Sequence, residues 1–179
     1  MTTDGFRPAQ RILDLANAVR ANPALDRTAL AAVLAAHGET PADLADFDDA
    51  AAQALRAAIR RLTDDVLAAP DPDHAAHALN AVFDESGARP RLTRHGGDHP
   101  WHLHTDRGDD AGWADWLLAS SALALAQIFT EHGRPAWGEC AAPDCTRLFL
   151  GTGPGAPRRY CSPRCASRTR VAAHRRRHG

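Results

Sequence analysis

Four cysteines, Cys140, Cys145, Cys161 and Cys165, fall within the last 40 positions of this 179-residue chain and constrain its fold more than any other feature. They read C-x4-C, then fifteen residues, then C-x3-C. Two knuckle-like pairs separated by a loop supply the four soft ligands of a tetrahedral zinc site. In a reducing compartment, cysteines packed so closely point to metal before disulfide; an iron–sulfur cluster and a redox-switched disulfide are the other readings. Four thiolates leave no open coordination position, so the expected cofactor is one structural Zn2+ per chain, not a catalytic ion. The segment has few large apolar side chains, too few for a core of its own at this size. Zinc contributes an apparent ~10–16 kcal/mol to such modules, enough to fold it.

The second pair carries local detail. Ser162 suits an N-cap and Pro163 the first helical turn, so a helix should start between Cys161 and Cys165. Cys165 then lies in that first turn, where the positive end of the helix favours thiolate. Leu148-Phe149-Leu150 and Arg158-Arg159-Tyr160 flank a Gly- and Pro-rich turn at 151–157, and a short hairpin is expected from them. Knuckle, hairpin and ligand-bearing helix make a treble-clef-like finger.

Charge is distributed unevenly. From Cys145 onward there are 9 Arg and no Asp or Glu; up to Asp144 there are 12 Arg against 22 acids. The body is therefore about −10 and the tail about +9, the pattern of an acidic fold with a basic arm for a polyanion. On a helical wheel over 163–177, Cys165, Thr169, Ala172 and Arg176 share one side. Arg164, Arg168 and Arg175 form a stripe with Val171, and Arg170 and Arg177 form another. Arg159 and Arg168 are best placed to offset the charge of a four-thiolate site. That role does not account for nine arginines without one acid among them. Phosphate neutralisation does, with arginine also able to read guanine edges. Candidate nucleic-acid contacts are Arg158, Arg159, Arg164, Arg168, Arg170, Arg175, Arg176 and Arg177.

The rest of the chain reads mainly helical. Apolar periodicity marks 10–20, with Ile12, Leu13, Leu15, Ala16 and Val19 on one face. Asp26 can cap a helix through His37, with Leu30, Val33 and Leu34 inward. A long helix over 48–68 carries Leu55, Ile59, Leu62 and Val66, Pro70 and Pro72 end it, and a weaker helix covers 74–83. Period-two alternation around Gly96-Gly97-Asp98 marks a β-hairpin. The segment 112–131, with Trp113, Trp116, Leu117, Ala124 and Ile128, is the strongest core helix, and Gly133 and Pro135 stop it. The expected class is α+β, mainly α: a helical domain with one hairpin at 1–135 and a finger at 136–179.

Other features are weaker. His95, His99, His102 and His104, with Asp98 and Asp106, crowd the hairpin, where an exposed face is favoured over a second metal site. His174 and His178 sit among arginines, suited to phosphate more than to a cation, while His74 and His77 read as surface residues. Trp101, Trp113 and Trp116 suit a core better than an effector pocket. No nucleophile motif, phosphate-cradling loop or carboxylate pair is present, so an enzyme is not expected. The opening MTTDGFRPAQR lacks the apolar core of a signal peptide, and the most apolar run, 117–126, is about half a membrane span. A cytoplasmic protein without a membrane partner is expected.

The string C-x4-C-x3-F, then R-R-Y-C-S-x2-C-x2-R before a basic helix, resembles the CGNR-type zinc finger of bacterial proteins. Cys140, Cys145, Phe149, Arg158, Arg159, Tyr160, Cys161, Ser162, Cys165 and Arg168 carry it. Upstream, Leu13-Asp14-Leu15-Ala16-Asn17 resembles that family's opening L-D-F-V-N, and Ala78-Leu79-Asn80 fits as well. This chain reads Cys165-Ala166-Ser167-Arg168, replacing the family's Gly and Asn while keeping every ligand. The resemblance implies an N-terminal ABATE domain that senses or dimerises, and a stress-linked transcription regulator that binds duplex DNA. RNA or ribosome association is the alternative nucleic-acid reading, and a protein-interaction adaptor the alternative of another class. A single recognition helix reads few base pairs, so specificity calls for a homodimer or a partner. The sequence names no small-molecule effector.

Overall fold

In the computed structural model, the structure describes residues 7–94, 101–105, 107–108, 111–153 and 156–178. Helix α1 (Arg7–Ala21) buries Ile12, Leu13, Leu15, Ala16 and Val19, the face marked by periodicity. Helix α2 (Arg27–Ala36) starts at Asp26, whose side chain accepts from the Ala29 N–H. Asp48 caps α3 (Asp49–Arg61) through the Ala51 N–H, and Asp71 caps α4 (Pro72–Ser86) through the His74 N–H. Each such cap satisfies an orphan amide and contributes about 1 kcal/mol. Helix α5 (Trp113–His132) ends at Gly133 in the left-handed region, φ 64°, where glycine escapes the Cβ clash.

α3 does not run unbroken to 68. It passes at Leu62 into a π-helical turn, Leu62–Leu67. That turn keeps Leu62 and Val66 in the core beside Leu55 and Ile59. Helix α5 is apolar on most sides because it is the centre of the bundle, packed against α1, α3 and α4. Trp113 and Trp116 lie half-buried at its start, Trp113 edge-on to Phe47 at 5.0 Å and to Trp116 at 5.3 Å. Trp101 is apart from that packing, 67% exposed beside the hairpin. Arg11 stacks on Trp116 at 3.9 Å and donates to Glu39 (3.2 Å) and Ser120 (2.7 Å). Burial, opposed by Glu39, pulls the Arg11 pKa down to about 10.

Strands β1 (Arg91–Thr93) and β2 (His102–His104) pair antiparallel, Leu92 opposite Leu103. The exposed face of this hairpin differs from the expected one: Leu92 and Leu103 point to solvent and His104 is half-buried. Period two fixes which residues share a face but not which face is covered. His95, Asp98, His99, Asp106 and the Gly96-Gly97 turn lie outside the described residues, as does the His102 side chain.

The expected pairing of 148–150 with 158–160 is corrected. Strand β4 (Leu148–Leu150) pairs instead with β3 (Trp137–Glu139), antiparallel, with Glu139 opposite Leu148. The knuckle at Cys140 and Cys145, closed by the Cys145 N–H to Ala142 C=O bond, turns the chain back on itself, and the Cys140 N–H to Arg147 C=O bond extends the β3–β4 ladder. Only the Ala141 N–H to Arg159 C=O bond, 2.8 Å, joins the knuckle to 158–160 among the described backbone bonds.

The hairpin β3–β4 also docks on the helices. Ala136, Trp137 and Leu148 belong to the main core, and the Trp137 indole donates to Val66 C=O in the π-helical turn at 3.4 Å. The helical core therefore extends into the finger, and among the described residues Cys140, Ala142, Phe149 and Cys165 form a second, smaller buried cluster. No helix among the described residues is long and apolar enough to cross a membrane.

Candidate metal centre and basic helix

The metal centre is assembled from two tight elements. Cys140 follows β3 directly, and Cys145 closes the turn before β4 through its N–H to Ala142 C=O, 3.2 Å. Cys161 and Cys165 flank the start of helix α6 (Pro163–His178). Ser162 caps it as expected: its Oγ accepts from the Cys165 N–H at 3.2 Å. Thr169 Oγ1 donates to the Cys165 C=O at 3.0 Å, and the Cys161 N–H points at Cys140 Sγ, 3.4 Å away.

All four sulfurs lie within 4.8 Å of one another. Sγ–Sγ separations are 3.8 Å for Cys145–Cys161 and 3.7 Å for Cys161–Cys165. A ZnS4 tetrahedron with bonds of ~2.3 Å has edges of about 3.8 Å, so the cage has the size zinc requires. A disulfide needs about 2.05 Å, far shorter than these. The four thiols thus form one Zn2+-binding site per chain. Among the described residues they are the one cluster of this kind.

The thiols do not titrate alike. Burial raises Cys140, but the N–H groups of Cys161 and Ala142 and the thiols of Cys161 and Cys145 outweigh it, bringing it down to about 7. Desolvation, then the thiols of Cys165, Cys140 and Cys145, push Cys161 up to about 12. Without a cation the cluster favours a thiolate that accepts from neighbouring thiols. Zinc held there would take all four sulfurs as thiolates, displacing the remaining protons.

Arginine surrounds the site in an arrangement that residue order reveals only in part. Arg168 Nη2 reaches Cys165 Sγ at 3.8 Å, matching its expected role beside the thiolates. Arg158, not Arg159, makes the other close approach. Its Nη2 donates to Cys161 C=O at 3.2 Å, with the guanidinium 5.7 Å from the Phe149 ring centre. Arg159 is exposed and contributes its backbone C=O. Along α6, Cys165 is buried and Ala166, Thr169, Ala172 and Ala173 are half-buried, while Arg164, Arg168, Arg170, Val171, Arg175 and Arg176 are exposed. Arg176 therefore leaves the cysteine side on which the wheel placed it. Ser167 is exposed and accepts from Arg170 at 3.3 Å, so the Ala166-Ser167 variation leaves the sulfur cage untouched. His174 is exposed; the side chains of Arg177 and His178 lie outside the described residues.

Replacing His102 and His104 together with Thr should leave metal content at one equivalent per chain, measured by elemental analysis of the purified protein. Loss of a second equivalent would place another ion on the hairpin.

Residues absent from the sequence-level site hold the finger in place. Asn17 of α1 bonds the backbone of Leu148, Arg20 pairs with Glu139 at 2.6 Å, and Asp14 approaches Arg147 at 3.8 Å. These partners are more than a hundred residues apart in the chain, and no local pattern pairs them.

Two family models match the chain. The CGNR zinc finger covers residues 137–178, and ABATE, described as "Putative stress-induced transcription regulator", covers residues 9–132. No curated protein matches. Neither family is catalytic.

Proposed function

Because the chain belongs to the ABATE family and carries the CGNR zinc finger of that bacterial transcription-regulator architecture, we propose that it regulates transcription by binding duplex DNA through α6. The observation that carries this reading is a zinc-fixed helix whose exposed side chains include Arg164, Arg168, Arg170, Arg175 and Arg176, with no acidic residue from Cys145 onward. Small residues face the finger and long cations face out, which suits a helix laid against phosphates. Its first turn, with Arg164, is the end that meets base edges, and Arg158 and Arg159 reach the flanking backbone. Arg177 extends the basic run.

Residues 1–135 serve as the sensing or dimerising unit and 136–179 as the reading unit. One helix contacts few base pairs, so two chains on adjacent half-sites supply specificity. Cytoplasmic residence follows, because DNA is there and the thiols stay reduced.

Competition tests the choice of polyanion. Zinc-loaded full chain held on labelled duplex DNA should be displaced by unlabelled duplex at about tenfold lower concentration than by structured RNA of equal charge. Equal or stronger displacement by RNA would make the finger an RNA module. Absence of binding to both, with a protein that co-purifies, would make the chain an adaptor.

A further inference from the structure

Strand β4 is bonded on both sides, by different kinds of partner. The ladder bonds from Cys140 N–H to Arg147 C=O (2.9 Å) and from Gly151 N–H to Ala136 C=O (2.7 Å) set the alternation. Residues 147, 149 and 151 direct their backbone groups at β3, and those of Leu148 point the other way. Leu148 is 3% exposed, so its N–H and C=O sit where an unmet polar group is costly. Asn17 meets both: its Oδ1 accepts from the Leu148 N–H at 2.8 Å, and its Nδ2 donates to the Leu148 C=O at 3.0 Å. A carboxamide offers acceptor and donor side by side as a peptide group does, so one side chain of α1 replaces a neighbouring strand. Cys145 lies three residues before Leu148, at the end of the knuckle.

We infer that Asn17 is a positioning residue that couples the helical body to the metal centre. It fixes β4 to α1, so zinc loading stabilises the body and the packing of α1 stabilises the zinc site. Such coupling is reciprocal by linkage. A shift of α1 within the bundle then has a two-bond route to the knuckle and, through the sulfurs, to α6. The flanking Arg20–Glu139 pair does not do this, because both side chains are substantially exposed and such a pair contributes little.

The test uses the full zinc-loaded chain as wild type, Asn17→Ala, Asn17→Asp and Arg20→Ala. Three quantities are read: exchange of the Leu148 amide by NMR, zinc release to a chelator, and the fall in Tm of the helical body on zinc removal. In Asn17→Ala the Leu148 amide should exchange, and zinc should leave, about tenfold faster, and the fall in Tm should shrink. Arg20→Ala should stay within about twofold of wild type on both rates. If Asn17→Ala does not fold, Asn17→Asp decides. It keeps the acceptor for the Leu148 N–H but sets oxygen against the Leu148 C=O, and zinc should again leave faster. Zinc release and Tm response like wild type in a folded Asn17 variant would overturn the coupling. No nucleic acid enters the assay, so its outcome is separate from that of the DNA-binding reading.

Discussion

Cys161→Ala, or removal of zinc by a chelator, should unfold α6 and the chain from 151 onward while leaving most of the helical signal of α1–α5. Metal content should fall from one equivalent to none, and the amides of α6 should lose protection together. The magnitude follows from where the buried surface lies. Outside β3–β4 and the adjoining Ala136 and Gly151, the described finger residues bury only Cys140, Ala142 and Cys165, with Phe149 packed on them, and no cluster of that size offsets the entropy of ordering a 16-residue helix. The metal must supply that, on the order of 10–16 kcal/mol for structural zinc. The hairpin β3–β4 should behave differently, because Trp137 and Leu148 belong to the main core. Far-UV circular dichroism with elemental analysis reads the first effect, and amide exchange the second. A zinc-free chain with α6 still protected would show that the sulfur cage is not what folds the finger.

Changing Arg175, Arg176 and Arg177 together to Ala should weaken binding to every DNA sequence by roughly two to three decades at 0.1 M salt, and flatten the salt dependence by about two to three units. Each arginine that neutralises a phosphate releases about one counterion, so the same charges set both the affinity and its slope. Arg164→Ala should act on sequence preference instead, relaxing it at one position, because it sits in the first turn of the helix. Arg168→Ala should do both, since its guanidinium also contacts Cys165 Sγ. Fluorescence anisotropy on specific and scrambled duplexes, repeated across salt concentrations, separates these classes.

What was legible in the sequence was whatever local chemistry decides. The cap at Asp26 showed a short acceptor before an apolar period, and the Ser162-Pro163 start of α6 was readable for the same reason, whereas the caps at Asp48 and Asp71 emerged only in the structure. The sulfur cage was readable because two close cysteine pairs leave few ways to satisfy four thiols. The π-helical turn at Leu62–Leu67 was not, since it changes which carbonyls are bonded without changing the apolar face. Strand pairing at Leu148–Leu150 was not legible either, because the loops to the two candidate partners, 140–147 and 151–157, are nearly equal. The choice rests on the knuckle turn and on the docking of Trp137 and Leu148 in the main core. The docking of the finger was invisible because it rests on contacts such as Asn17 to Leu148 and Trp137 to Val66, set by the tertiary fold. A fragment beginning at 136 would expose Trp137 and Leu148, which the full chain buries.

A zinc-held α6 that binds DNA as an electrostatic surface, as proposed, should lose affinity steeply as salt rises. The most direct measurement is a salt titration of the zinc-loaded full chain on duplex DNA, with a chelated sample beside it. If α6 and its flanks neutralise about four to six phosphates, log K should fall against log salt with a slope near −4 to −5, and chelation should abolish the binding. Absence of binding at low salt, or binding of equal strength and slope after chelation, would show that the zinc-held α6 is not the DNA-binding surface.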